Sequence, residues 1–205
     1  MAIRAILFDL GGVLERVGAA ARVEAWTAGR IPVGEFWSRW LSARSVADFE
    51  SGRTDPETFS LRAVSELGLD VSAADFLEDF RSWLVGPYDG AADLVLGLRG
   101  RGYRVASFSN SNEIHWPVME AHQRADSSFD ANFPSHRLGL CKPDPLAFLE
   151  VLRRWGVPAR DVLFLDDNEV NCAAARAAGM AADRVDGVTG ATRSLLRRKI
   201  PVAGS

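Results

Sequence analysis

Cysteine and histidine are scarce in this chain. Cys141 and Cys172 lie far apart and form no Cys-x-x-Cys pair, so the sequence offers no disulfide framework and no thiolate metal site. The three histidines, His115, His122 and His136, lack the spacing of a zinc site. Two reduced thiols favour a cytoplasmic protein.

Long apolar runs and an excess of positive charge are also missing. No run approaches the roughly 20 apolar residues that span a bilayer, and the N-terminus lacks the features of a signal peptide, so we expect no membrane partner. The formal net charge of -3 gives no broad electrostatic case for a nucleic-acid partner. The remaining composition, 205 residues with 47% hydrophobic and 25% charged, is typical of one globular domain, with or without an insertion.

Short apolar runs bounded by turn residues recur along the chain, and helical patterns lie between them. Runs of this kind predict strands that are buried on both faces of a parallel sheet. Their alternation with helices predicts an α/β fold with a Rossmann-like parallel sheet as its core. The predicted strands are residues 2–8, 103–108 and 162–165, with weaker candidates at 129–135 and 180–185.

Residues 15–88 interrupt this alternation, because they carry helix signals and no clear strand pattern. Asp55-Pro56 and Ser72 are typical helix starts. We therefore predict that residues 15–88 form an all-helical cap, and that residues 1–14 and 89–205 form the α/β core. The aromatic residues of the cap should mainly fill its interior, with one of them facing a pocket: Trp37, Trp40, Phe76, Phe80 and Trp83.

Three of the predicted strands end in side chains that can take part in chemistry. Asp9 follows the first strand, Ser109 the second, and Asp166-Asp167 the third. Parallel strands present these ends at one edge of the sheet, where α/β proteins bind ligands. Carboxylates suit Mg²⁺, whereas Ser109 and the backbone amides after it suit phosphate oxygens. Lys142 lies just before a capped helix start and adds a positive charge that favours an anion.

Four motifs in this order resemble those of the haloacid dehalogenase-like hydrolase superfamily. The resemblance covers roughly residues 2–14 and 90–185, and the insertion fits the position of the helical cap in that superfamily. The branch that includes bacterial glucose-1-phosphate phosphatase is the most similar. The motifs are Phe8-Asp9-Leu10-Gly11-Gly12-Val13, Phe108-Ser109-Asn110, Lys142-Pro143-Asp144-Pro145 and Phe164-Leu165-Asp166-Asp167-Asn168.

The resemblance implies a phosphatase that uses Mg²⁺ and acts on a small phosphorylated metabolite, a sugar phosphate being one candidate. It makes Asp9 the nucleophile that becomes an aspartyl phosphate, with Lys142 neutralising charge. It assigns phosphate or substrate binding to Ser109 and Asn110. The implied metal ligands are Asp167, with Asp166 assisting, Asp9, and the backbone carbonyl of Gly11.

Position 11 departs from the family pattern. Phosphatases of the family usually carry a second aspartate here as general acid/base, a role typically worth about 10²–10⁴-fold in rate, and this chain has Gly11. Glu15 and Glu169 are the nearest substitutes along the sequence. Two alternatives stay open: a metal-independent 2-haloacid dehalogenase, which also lacks the second aspartate, and a non-catalytic binding protein. Against the dehalogenase, the paired acids Asp166 and Asp167 need a cation to offset their repulsion.

Four further residues have alternative interpretations. His115 is expected either to contact the substrate or to be a hydrogen-bonded structural histidine. Asp144 and Asn168 precede helical patterns and are predicted to be N-caps. Cys141 adjoins Lys142 but has no base in its neighbourhood of the sequence, so we expect a structural thiol.

Overall fold

The computed structural model describes residues 2–18, 20–126 and 129–202. Its strands fall into one five-stranded sheet and one two-stranded sheet. In chain order the strands are β1 (Ala5–Phe8), β2 (Glu15–Val17), β3 (Leu84–Pro87), β4 (Arg104–Ser109), β5 (Ala131–Pro134), β6 (Val162–Asp166) and β7 (Ala181–Arg184).

Helices account for most of the remaining described chain. The first five, α1 to α5, lie in the predicted insertion, and the other six lie in the core. In chain order they are α1 (Ala20–Thr27), α2 (Val33–Ser42), α3 (Arg44–Glu50), α4 (Pro56–Leu67), α5 (Ala73–Arg81), α6 (Ala91–Gly100), α7 (Trp116–Asp126), α8 (Ser135–Leu138), α9 (Pro145–Trp155), α10 (Glu169–Ala177) and α11 (Gly187–Arg197).

The five-stranded sheet is parallel and has the strand order β5-β4-β1-β6-β7. Helices α6, α7 and α11 contribute to the hydrophobic cluster on one face, and α9 and α10 contribute to the cluster on the other. Ile6 and Phe8 of β1 belong to the first cluster, and Ala5 and Leu7 to the second. This two-sided burial explains why β1 is apolar at every position. The predicted Rossmann-like core is confirmed, with β1 beginning at Ala5 rather than at residue 2.

The cap helices pack around their own cluster of buried aromatic and aliphatic side chains. The predicted helix starts are confirmed, because Asp55 accepts a hydrogen bond from the backbone of Thr58 and Ser72 accepts one from Asp75. Asp144 and Asn168 also cap α9 and α10 as predicted. These caps satisfy backbone N–H groups that have no partner within the helix.

The prediction that residues 15–88 contain helices only is wrong at both ends of the segment. Strands β2 and β3 pair antiparallel there, with Val17 opposite Leu84, so a short ribbon joins the cap to the core. Strands this short, one of them containing Gly86 and Pro87, carry too little alternation to be recognised. They also become neighbours only once the insertion has folded back on itself.

Smaller differences concern the C-terminal part of the chain. The weak strand candidates at 129–135 and 180–185 are shorter than predicted and become β5 and β7. Within the described ranges, no helix combines the length and the apolar character needed to cross a bilayer.

Candidate active site

The carboxyl ends of three adjacent strands bring the predicted acidic residues together. Strand β1 lies between β4 and β6, so Asp9 is central, with Ser109 on one side and Asp166 on the other. One oxygen each from Asp9, Asp166 and Asp167 lie within 4.8 Å of one another. Residues more than a hundred positions apart in the sequence therefore share one site.

Lys142 links two of these carboxylates. Its Nζ lies 2.9 Å from Oδ1 of Asp9 and 2.6 Å from Oδ2 of Asp166, and its side chain is only 1% exposed. Burial opposes a charge on this amine, but Asp166 and Asp9 outweigh that effect and raise the pKa of Lys142 above its usual value. Lys142 therefore stays positively charged beside Asp9.

Asn110 holds the backbone of Lys142 at two points. The Asn110 amide donates to the carbonyl oxygen of Lys142 at 2.9 Å, and its Oδ1 accepts from the Lys142 N–H at 2.8 Å. Asn110 lines the cavity, but much of its hydrogen-bonding capacity is used by the loop that carries the lysine. The sequence suggested a phosphate contact for Asn110 and did not reveal this positioning contact.

Ser109 lies at the end of β4 and also lines the cavity. Its hydroxyl makes one long contact within the protein, 3.4 Å to the carbonyl oxygen of Asn110. The backbone amide of Ser111, in the turn expected to offer free N–H groups, instead donates to Oγ of Ser135 at 2.9 Å. The Ser109 hydroxyl is therefore better placed than the Ser111 amide to meet a phosphate oxygen.

The two neighbouring aspartates differ in their surroundings. Asp166 is fully buried, and its oxygens accept hydrogen bonds from the Asn168 N–H, the Asn171 amide and Lys142. Asp167 lines the cavity instead. Asp166 is thus mainly occupied in orienting Lys142, whereas Asp167 faces the space where a ligand would bind.

Gly12 allows the loop after β1 to lie directly against Asp167. Its φ angle is +75°, and a Cβ atom at this position would lie 2.3 Å from Oδ2 of Asp167. At Gly11 a Cβ atom would meet nothing nearer than the Val17 side chain, at 3.7 Å. Only the second glycine of the motif is therefore required by close approach.

The donor set fits a hard divalent cation. Asp9, Asp166 and Asp167 bring three carboxylates against one buried ammonium group, and carboxylate oxygens are preferred Mg²⁺ ligands. Burial, reinforced by Asp166, raises the pKa of Asp167, and burial likewise raises the pKa of Asp9 despite the opposing effect of Lys142. These raised pKa values reflect the cost of holding negative charge here, which a bound cation would lower.

A cavity of about 690 Å³ opens above the acidic cluster, between the core and the cap. Four of the five cap aromatics named from the sequence line it, rather than one, while Phe76 is not among its lining residues. Leu41 and Val17 extend the apolar wall toward the surface, where they are exposed. The aromatic and aliphatic residues on the cap and ribbon side are Val17, Trp37, Trp40, Leu41, Phe80, Trp83 and Leu84.

His115 is committed to a structural contact between core and cap. One of its ring nitrogens, Nε2, lies 2.7 Å from the carbonyl oxygen of Phe80 in α5, and the two rings are 4.2 Å apart. Burial lowers the pKa of His115 to about 4, although the contact with Phe80 partly opposes this. The histidine is therefore neutral near pH 7, and the structural interpretation is favoured.

Neither substitute for the missing acid/base is placed for that role. Glu15 does not line this cavity; its carboxylate lies 3.2 Å from Nδ1 of His122. Glu169 lies at the cavity wall but pairs with Arg176 at 2.6 Å. The residue that sequence reasoning missed is Glu50, which reaches the cavity from the end of α3. It belongs to no motif, and its place depends on how the cap packs on the core.

Comparisons of this chain with known proteins agree on one family. The family model described as haloacid dehalogenase-like hydrolase matches residues 3–179. The sesquiterpene phosphatase astK of Aspergillus oryzae is 30% identical over 86% of this chain and 87% of its own length. Phosphatase MT3486 of Mycobacterium tuberculosis is 29% identical over 100% of this chain and 97% of its own length.

Other relatives differ in activity or length. Drimenol cyclase drtB of Aspergillus calidoustus is 29% identical, but the chain spans only 33% of that protein. An (S)-2-haloacid dehalogenase of Pseudomonas fluorescens is 25% identical over 84% of this chain.

Among solved structures, the HAD family enzyme bt-2542 of Bacteroides thetaiotaomicron superposes with a TM-score of 0.72 and 26% identity, covering 91% of this chain and 95% of that one. The same enzyme has also been solved in complex with magnesium and inorganic phosphate, and that structure matches with a TM-score of 0.68 and 25% identity over 90% of this chain and 95% of the other.

Proposed function

The chain belongs to the haloacid dehalogenase-like hydrolase family, and on that premise we propose that it is a Mg²⁺-dependent phosphatase that forms an aspartyl phosphate on Asp9. The observation that carries this proposal is the meeting of Asp9, Asp166 and Asp167 within 4.8 Å, with Lys142 in contact with Asp9 and Asp166. The magnesium and phosphate complex of the Bacteroides enzyme supports it.

The contacts of Asp9 suggest how its carboxylate is used. Oδ1 accepts hydrogen bonds from the Leu10 N–H at 2.7 Å and from Lys142, so we assign the attack on phosphorus to Oδ2. The bond from phosphorus to the leaving oxygen then breaks, and water later releases phosphate from Asp9. Lys142 and the Ser109 hydroxyl are the groups that we assign to the phosphoryl oxygens.

The metal ligands that we propose are the carboxylates of Asp9 and Asp167 and the backbone carbonyl of Gly11. Asp166 assists by holding Lys142 and by adding negative charge. A bound Mg²⁺ would neutralise charge on the phosphoryl group.

We further propose that the organic part of the substrate is apolar. The cap side of the cavity is mainly aromatic and aliphatic, and Asn112 and His115, which also line the cavity, already hydrogen-bond within the protein. Sugar hydroxyls would lose water there without gaining partners, at a cost of about 1–3 kcal/mol for each unsatisfied group. This favours an apolar alcohol over the sugar phosphate considered from the sequence. The relative named as a sesquiterpene phosphatase is consistent with that choice.

The test is phosphate release from a panel of phosphate monoesters with apolar and sugar leaving groups. We expect Mg²⁺-dependent release that EDTA abolishes, with the apolar esters preferred. Asp9→Asn should reduce release to background, whereas Asp93→Asn, at an exposed position on α6, should retain it. Full activity of Asp9→Asn, or equal activity in EDTA, would contradict the proposal.

A dehalogenase is the second candidate, because Gly11 and the (S)-2-haloacid dehalogenase relatives are compatible with it. The same Asp9 would then attack carbon and displace halide. The acidic cluster argues against it, since Asp167 would lie beside the nucleophile without a cation. Halide release from 2-chloropropionate in EDTA would favour this candidate. Turnover of any ester would exclude the non-catalytic alternative.

A further inference from the structure

The proposed reaction needs a proton donor that the motif does not supply. An alkoxide is a poor leaving group, so the leaving oxygen must gain a proton as its bond to phosphorus breaks. Gly11 has no side chain for this task. The inference below rests on the proposed phosphatase function, because the proton has this destination only in phosphoryl transfer.

Most titratable residues that line the described cavity already have another role. Asp9 and Asp167 are assigned to the nucleophile and the metal. Lys142 is held between two carboxylates and keeps its proton. His115 contacts Phe80 and is neutral, and Glu169 pairs with Arg176.

Glu50 is a carboxyl group without such an assignment, and it comes from the cap. It is the last residue of α3 and lines the same cavity as Asp9. The helix end that carries it is fixed to the core, because Oγ of Ser135 donates a hydrogen bond to the Glu50 carbonyl oxygen at 2.5 Å.

The turn after Glu50 also lies directly on the core. Gly52 has a φ angle of +71°, and a Cβ atom there would lie 2.5 Å from the carbonyl oxygen of His136. A side chain at this position would push the turn away from α8. The placement of Glu50 is therefore set by two contacts with the core and not by the cap alone.

The surroundings of the Glu50 carboxyl connect it to the nucleophile. It interacts with the amide of Asn110 and with the charge of Lys142, and Lys142 contacts Asp9. Burial raises the pKa of Glu50 to about 7, although Lys142 and Asn110 oppose this. The adjacent Cys141 thiol is neutral, since burial and Glu50 raise its pKa to about 12. A carboxyl group in these surroundings can both hold and release a proton near neutral pH.

We propose that Glu50 replaces the missing aspartate as general acid and base. Its carboxylic acid gives a proton to the leaving oxygen while Asp9 forms its bond to phosphorus, so the alcohol departs neutral. The Glu50 carboxylate then takes a proton from the water that attacks the aspartyl phosphate. Phosphate leaves, Asp9 returns as a carboxylate, and Glu50 regains its proton.

The decisive experiment compares leaving groups in the full-length protein with Mg²⁺. Octyl phosphate has a basic leaving oxygen that needs a proton, whereas 4-nitrophenolate leaves unaided. Glu50→Gln should lower kcat/KM for octyl phosphate by about 10²-fold and leave kcat/KM for 4-nitrophenyl phosphate within about threefold. With 4-nitrophenyl phosphate, the kcat of Glu50→Gln should fall, and one nitrophenolate per active site should be released in a burst. The reason is that the water that attacks the aspartyl phosphate has lost its base.

Two control variants distinguish a role in proton transfer from a general loss of activity. Glu50→Asp should restore part of the octyl phosphate activity, and Glu57→Gln, an exposed carboxyl on the neighbouring helix α4, should behave as the unmodified protein. An equal loss of kcat/KM on both esters, or no loss on either, would overturn the role of Glu50. If the unmodified protein hydrolyses neither ester, the phosphatase proposal itself fails, and this outcome is distinct from a failure of Glu50.

Discussion

The core and the cap face the same cavity with different kinds of side chain. On the core side, Asp9, Lys142 and Asp166 are buried, and Nζ of Lys142 lies 2.9 Å from Asp9 and 2.6 Å from Asp166. On the cap side, Trp37, Trp40 and other aromatics pack on each other and on the cluster behind them. Polar networks of the first kind act only in a narrow range of geometry, whereas apolar packing tolerates many combinations of side chains.

On the proposed function, this contrast separates the side chains that we assign to the chemistry from those that we assign to substrate selection. A change in the core network should reduce turnover of every ester, and a change in the cap interior should mainly affect stability. Glu50 and His115 lie where the cap contacts the core, so substitutions at these two residues should not follow this division.

Phe59→Ala should give the largest change in stability while sparing the chemistry. Phe59 is fully buried in the cap cluster, stacked on Phe49 with ring centroids 4.2 Å apart, and it does not line the cavity. Loss of such a ring costs about 3–5 kcal/mol. Urea unfolding should show this loss, while folded protein at low temperature still cleaves 4-nitrophenyl phosphate. Leu61→Ala, at a position 64% exposed on the same helix, should cost less than about 1 kcal/mol.

Gly12→Ala should test the core side by disturbing Asp167, a proposed metal ligand. The new methyl group would collide with Oδ2 of Asp167, and a non-glycine residue is strained at this positive φ angle. We expect a loss of about 10²-fold in kcat/KM, worth roughly 3 kcal/mol, together with weaker Mg²⁺ binding measured by calorimetry. Gly11→Ala meets nothing closer than 3.7 Å and should change both quantities little. Similar effects of the two substitutions would contradict the close-approach argument.

His115 should make the contact between core and cap sensitive to acid. Its pKa is about 4 in the folded protein and about 6.5 in an unfolded chain, so between these values the unfolded chain binds more protons. The free energy of unfolding should therefore fall as the pH drops from 7, by about 2 kcal/mol at pH 5 from this residue alone. His115→Gln should remove that part of the pH dependence in urea unfolding. If the free energy of unfolding of this variant depends on pH as in the unmodified protein, His115 is not the source of the acid sensitivity.

Asn110→Ala should give the smallest of these effects, because it acts through Lys142. Loss of its two hydrogen bonds to the Lys142 backbone should lower kcat roughly tenfold, in the range typical of groups that orient active-site residues. In a Lys142→Ala background the same substitution should cost much less, since the group that it positions is gone. Full additivity in this double-mutant cycle would instead indicate a direct contact with substrate.

The sequence predicts the core well because the relevant signals are local. Asp9, Ser109 and Asp166 each end a strand, and the geometry of parallel strands then brings them together. Lys142 is found through its motif. The roles of Asn110 and Glu50 were not predictable in this way, since each depends on contacts between distant loops, such as the bond from Ser135 to the end of α3. The ribbon was missed because pairing, and not composition, defines strands of three or four residues.

The ribbon of β2 and β3 has a consequence for how this architecture can change. It sets Val17 and Leu84 opposite each other, so the two ends of the cap insertion lie side by side where they join the core. For the core, the whole segment between those two residues acts as the loop of one β-hairpin. Lengthening such a loop costs little closure entropy. Helices between β2 and β3 can therefore be exchanged, added or lost while β1 and its neighbouring strands, which position Asp9, keep their register.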